Sequence, residues 1–211
     1  MRGALVCLGE IHSDHPGGLV HILEFYARKQ RRVTRSTYSA ELNAASDAFE
    51  FGKLVALTLA EALCPYGSIR ELLVLEEKGA FPVPVELVID ARSVYDSLVA
   101  HEIKTPAEVS LVMFLAQLKE AMLAHSLSKL WWVDTRDMAA DALNKGAISR
   151  AALLELANSG KWVLQHKAIG FSESRHVPII SSVKLTETVD ESNYLALFWV
   201  NQFRKCDERI N

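Results

Sequence analysis

Residues 83–90, Val83-Pro84-Val85-Glu86-Leu87-Val88-Ile89-Asp90, narrow the possible folds more than any other stretch of the chain. A near-continuous apolar run of this length, set between segments of helical pattern, reads as a strand buried on both faces. Such a strand needs helices above and below its sheet. The run leads directly into a helix from Ser93 to about Ala100, so the chain reads as α/β.

The flanking segments extend that pattern. Residues 3–10 and about 19–28 are strand-like, and Ser13-Asp14-His15-Pro16-Gly17-Gly18 between them is turn chemistry, so they read as a hairpin. A helix follows from about Tyr38 to Leu63, capped by Ser36 or Thr37 and stopped by Cys64-Pro65-Tyr66-Gly67. Leu42, Ala45, Phe49, Leu54 and Leu57 form its apolar stripe. A short amphipathic segment covers 68–77. Pro106 opens a helix to about Ser126. Leu127 to Val133 reads as a strand, and Asp134 or Thr135 caps a helix running through Lys145 to Gly146. A last helix spans 149–158, with Gly160 beyond it. After about residue 170 no period is clear until the aromatic stretch Tyr194 to Phe203. The order predicts a mixed sheet with helices on both faces.

Composition sets limits on function. Half of the 211 residues are hydrophobic, enough for a sizeable core. A formal charge of -3 shows no global basic excess, so any nucleic-acid contact must come from a local patch. Arg28, Lys29, Arg31, Arg32 and Arg35 make one such patch, suited to phosphates or simply to solvent. The three cysteines, Cys7, Cys64 and Cys206, lie far apart without ligand spacing, which argues against zinc or a disulfide framework and for a reduced, intracellular protein. Met1 to Gly9 gives way to Glu10, His12 and Asp14 too soon for a signal peptide, and no apolar run is long enough to span a bilayer. His12, His15 and His21 lack a completing ligand. Trp131 and Trp132 could stack on bases, although core packing is the simpler role.

Three acids fall at meaningful places. Glu41 lies in the first turn of the long helix, Asp90 ends the buried strand, and Asp141 follows the last strand. Carboxylates gathered at one edge of an α/β sheet can hold hard divalent cations. Each also has a plainer explanation: Glu41 favouring a helix N-terminus, Asp90 capping a helix, Asp141 pairing with Lys145.

The local sequences add a resemblance. Arg35-Ser36-Thr37-Tyr38-Ser39-Ala40-Glu41-Leu42, Val88-Ile89-Asp90-Ala91-Arg92-Ser93, Lys104-Thr105-Pro106-Ala107-Glu108, and Trp132-Val133-Asp134-Thr135 through Ala140-Asp141-Ala142-Leu143-Asn144-Lys145 occur in order. Together they resemble the ribonuclease H domain of copia-type LTR retrotransposon Pol polyproteins, over about residues 3–160. Asn144 stands where that pattern has Thr. The resemblance implies a ribonuclease H-like fold, a mixed sheet flanked by helices. It also implies two-metal hydrolysis of the RNA strand of RNA–DNA hybrids during reverse transcription. Glu41, Asp90 and Asp141 would be catalytic and would bind two magnesium or manganese ions.

It further implies a neighbouring reverse transcriptase domain and a place in the cytoplasm or a virus-like particle. The family's first strand precedes the hairpin, lies inside the sheet and ends in an Asp. No counterpart is found here, so the domain is expected at 1–160 without its first strand and with ladder groups exposed. Residues 161–211 would be an extension of unknown role. The alternative implied is a catalytically inactive nucleic-acid-binding remnant.

Overall fold

The computed structural model describes residues 2–10, 12, 14–28, 34, 36–63, 69–78, 81–103, 106–143, 150–173 and 194–202. It is an α/β protein. Strands β1 (Arg2–Glu10) and β2 (Gly18–Arg28) form the hairpin. Helices α1 (Thr37–Leu63) and α2 (Ile69–Glu77) follow, then β3 (Val85–Ile89), α3 (Arg92–Val99), α4 (Leu111–Leu123) and β4 (Lys129–Trp132). Two short 3-10 turns, Thr135–Asp137 and Ala139–Leu143, precede α5 (Ala151–Ser159), β5 (Lys161–Trp162), β6 (Ile169–Phe171) and β7 (Tyr194–Gln202).

The strands make one seven-stranded mixed sheet in the order β5-β2-β1-β7-β3-β4-β6. β7, the last of the described strands, is central in space. β7 runs antiparallel to β1, with Arg2 paired to Gln202, and parallel to β3, with Ile89 paired to Val200. Two expectations change here. The ladders of β1 and β3 are paired with β7 rather than exposed. The region after 160, expected as an extension of unknown role, supplies β5, β6 and β7 to the same sheet.

Alternation along the strands divides the core. Ala4, Val6, Val85, Leu87 and Ile89 face α1, α3 and α4, while Leu5, Cys7, Val88 and Trp131 face the 3-10 turns and α5. On α1, Leu42, Ala45 and Phe49 are buried as expected, and Ala56 and Ala60 continue the stripe. Leu54 is off that stripe and 59% exposed. Small residues let the helix lie close to the sheet, and each fully buried Leu or Phe contributes about 1.5–3 kcal/mol.

Local chemistry sets the element ends. Ser36 Oγ accepts the Ser39 N–H at 3.1 Å, as an N-cap does. Gly160 closes α5 at φ 64°, where a left-handed residue is needed, and its N–H donates to the Leu156 carbonyl. α4 begins five residues after Pro106, because Glu108 turns back to accept hydrogen bonds from Ser39 and Ser110. The helix expected from Asp134 to Lys145 is replaced by the two 3-10 turns. The stop at Cys64-Pro65-Tyr66-Gly67 and the end at Lys145-Gly146 lie outside the described residues. No helix among those described is long and apolar enough to cross a membrane.

Candidate active site

Asp90 follows β3 directly and is half-buried. Its carboxylate Oδ2 accepts a hydrogen bond from Thr135 Oγ1 at 3.1 Å, and its carbonyl accepts one from Trp132 Nε1 at 2.9 Å. Asp90 is not the cap of α3. Ala91 holds that position with no side-chain cap, and its carbonyl accepts the Val94 and Tyr95 N–H groups. The Asp90 carboxylate is thus turned toward the segment after β4.

Asp141 sits in the second 3-10 turn and is 2% exposed. That turn packs against β1 and β7, on the face of the sheet opposite α1. Glu41 lies just past the first turn of α1 rather than within it, because the helix starts one residue earlier than expected, at Thr37. The three acids therefore come from three layers: a helix on one face, a strand end, and a turn on the other face. Among the described residues, no three His, Cys, Asp or Glu side chains form a group that could hold a metal ion. As placed, Glu41, Asp90 and Asp141 do not fit a shared metal ligand set.

Between β4 and β6 lies a denser polar network, of which sequence reading singled out only Asp134, as a cap. Asp134 accepts from the backbone N–H of Arg136 at 3.0 Å and from its guanidinium at 2.8 and 2.9 Å. Those hydrogen bonds hold the Asp134 carboxyl well below the usual carboxylate range. Asp137, 4% exposed, receives the Gln165 N–H on one oxygen and the His166 N–H on the other, at 3.2 and 2.8 Å. The His166 Nδ1 atom lies 3.1 Å from both oxygens. Trp162 Nε1 donates to the Asp137 carbonyl at 2.9 Å. A cavity of about 370 Å³ opens beside these groups, lined by Arg136, Asp137, Asp141, Lys161 and Trp162 among others.

Other candidate residues take simpler roles. Trp131 is buried with its indole N–H on Glu86, while half-buried Trp132 lies under the Arg92 guanidinium at 5.1 Å. Both pack in the protein, on opposite faces of β4 as the pleat requires. Exposed Arg28 ends β2 with its guanidinium 5.2 Å from the Tyr26 ring. Lys29, Arg31, Arg32 and Arg35 lie outside the described residues. His12 stands 3.5 Å from Glu10 and stacks near His15, with ring centroids 4.4 Å apart.

The signal that could have exposed Asp137 and His166 is faint. They are separated by 29 residues, and neither belongs to a motif with fixed spacing. Comparison with protein-family models, with curated proteins and with solved structures finds no match for this chain.

Proposed function

We propose that this chain is a ribonuclease H-like domain of copia-type retrotransposon descent that engages RNA–DNA hybrids and hydrolyses their RNA strand. The supporting observation is the central sheet. A hairpin, an antiparallel neighbour and two further parallel strands run β2-β1-β7-β3-β4, with Asp90 at the edge where the parallel strands end. Helices cover one face, and the Asp141 segment covers the other. The motif around each of Glu41, Asp90 and Asp141 supports the same reading.

Magnesium or manganese ions belong to this proposal, and those three carboxylates are the residues that would hold them. Because the three do not form a ligand set as placed, no step is derived through a metal. A neighbouring reverse transcriptase domain, and the cytoplasm or a virus-like particle as the place of action, are part of the same proposal.

One observation favours a second reading, hybrid binding without cleavage. The slot between β1 and β3 is where the family's first strand and its Asp would lie. β7 fills that slot, its Val200 in register with Ile89, the residue before Asp90. The test is cleavage of a labelled RNA–DNA hybrid with magnesium or manganese, alongside binding measured by fluorescence anisotropy. Cleavage that Asp141→Asn abolishes supports the hydrolase. Binding without cleavage supports the remnant, and absence of both removes the family reading.

A further inference from the structure

The outer edge of the hairpin is open. Among the described residues, β2 is paired on that side only at Gly18 and Leu19, by β5. The Val20 N–H donates to the Gly160 carbonyl at 2.9 Å, and no described strand lies beside His21 to Arg28. Such a row of outward N–H and C=O groups is a template for another strand. A bulge sets which groups face out. Val6 pairs with Glu24 and Cys7 with Ile22, so Leu23 is the extra residue of β2. Val20 faces out, and Ile22 with it; the extra residue then moves the outward set to Phe25 and Ala27. The Phe25 N–H accordingly donates to a side chain, Glu24 Oε1, at 2.9 Å.

The chemistry of this edge is complementary to itself. Exposed Glu24 and Arg28 flank Tyr26 on the α1 face, where Tyr26 packs edge-on against Phe51. Phe25, 59% exposed, and Ala27 lie on the other face. Two copies of β2 set antiparallel about Tyr26 place each Phe25 opposite an Ala27, so the outward groups of both residues close into a ladder. The same register places each Glu24 opposite an Arg28, and brings the two Phe25 rings together on a diagonal. Other registers lose this match. Centring the pair on Glu24 or Arg28 sets like charge against like, and centring it on Phe25 or Ala27 leaves those charges without opposites.

We propose that the β2 edge is a docking surface for a second copy of this chain. The two β2 strands join antiparallel about Tyr26 into one continuous sheet, with Glu24 of each copy paired to Arg28 of the other. The contact uses the same patch on both copies, so it closes at a dimer. Within one chain, Glu24 covers the Phe25 N–H. On pairing, that N–H passes to the Ala27 carbonyl of the second copy, and Glu24 turns to its Arg28. A ladder from Glu24 to Arg28 is short of the roughly 1,000 Å² that a lasting interface buries, so the dimer is reversible and fills as concentration rises. It forms whether or not the chain cleaves hybrids.

Sedimentation velocity of the full chain over a concentration series is the test. Wild type should shift from monomer to dimer. Glu24→Arg and Arg28→Glu each set like charges opposite at both ends of the ladder. Each should weaken self-association about tenfold or more, with the melting temperature unchanged. An equimolar mixture of the two variants restores opposite charges at both ends and should form a heterodimer as readily as wild type forms its dimer. Ala27→Pro removes an outward N–H without touching the β1 ladder and should also leave monomers. Wild type that stays monomeric overturns the proposal. So does a dimer that both charge variants retain, which would place the contact elsewhere on the chain, and so does a mixture that stays monomeric. Should a charge variant fail to fold, amide exchange of wild type decides: the Phe25 and Ala27 amides should gain protection as concentration rises, and unchanged exchange overturns the interface.

Discussion

Trp131 Nε1 donates a 2.6 Å hydrogen bond to Glu86 Oε2 inside the sheet's second core. Both residues are nearly inaccessible, at 2% and 4% exposure. Lys129 Nζ lies 4.7 Å from the centre of the Trp131 indole. A buried strand thus carries an acid whose acceptor is used, and removing that acceptor should be costly. Glu86→Ala leaves the indole N–H unpaired and should destabilise the fold by about 1–3 kcal/mol in chemical denaturation.

The same acid should make stability depend on pH. Burial, the largest influence, raises the Glu86 carboxyl above its ordinary value, while the Trp131 bond and Lys129 oppose that shift. The folded state then holds this proton more tightly than the unfolded state. The contribution is favourable at low pH and is lost as pH rises from the ordinary glutamate range through the raised value. Glu86→Gln keeps an acceptor and does not ionise. Relative to wild type, it should gain stability across that interval, read as melting temperature against pH. Parallel profiles for the two proteins would remove the argument.

Asp134 should act with the opposite sign. Its folded value is depressed by the Arg136 hydrogen bonds, so its stabilisation is present above the ordinary aspartate range and is lost as pH falls from that range through the depressed folded value. Asp134→Ala also removes the acceptor that caps the first 3-10 turn, a loss of about 1 kcal/mol. Asp134→Asn keeps a cap without the charge. It should show less loss of stability on acidification than wild type, a difference that paired melting curves at acidic and neutral pH would reveal.

Trp131 also explains Gly170. A Cβ at that position would lie 2.8 Å from Trp131 Cε3, closer than atoms in contact allow. The indole is enclosed and cannot swing away, so Gly170→Ala should destabilise by about 1–3 kcal/mol. An unchanged denaturation midpoint would mean that β6 yields at the edge of the sheet.

Local pattern made part of this architecture legible. The α1 stripe at Leu42, Ala45 and Phe49, the apolar β3 and the Gly160 stop follow from period, propensity and φ, which neighbouring residues determine. The 3-10 turns were not legible, because Ala-Ala-Asp-Ala-Leu favours a helix in isolation. Burial of Met138 and the bonds from residues 165 and 166 to Asp137 override that preference. For the site, Asp90 at a strand end could be read directly. Its Thr135 partner, and the Asp137–His166 pair, depend on how distant segments meet. The place of β7 is the extreme case: Arg2 pairs with Gln202, and no local signal encodes a contact across nearly the whole chain.

That pairing yields the last prediction. β7 is hydrogen-bonded on both sides, to β1 and to β3, so its backbone N–H groups serve two ladders. Proline at Leu197, in register with Cys7 on one side and Glu86 on the other, removes a donor from the middle of the sheet. The cost should be about 3 kcal/mol or more. Cys7 offers a direct reporter. It is fully buried on β1, and burial pushes its thiol up to about 12, so the native protein should resist alkylation there. In Leu197→Pro, β1 loses one of its two neighbours. Mass spectrometry should then show Cys7 alkylated many times faster, together with faster amide exchange along β1 and β3. Protection of Cys7 equal to wild type in a folded Leu197→Pro protein would show that β1 is held without β7, and the central position of the C-terminal strand would have to be abandoned.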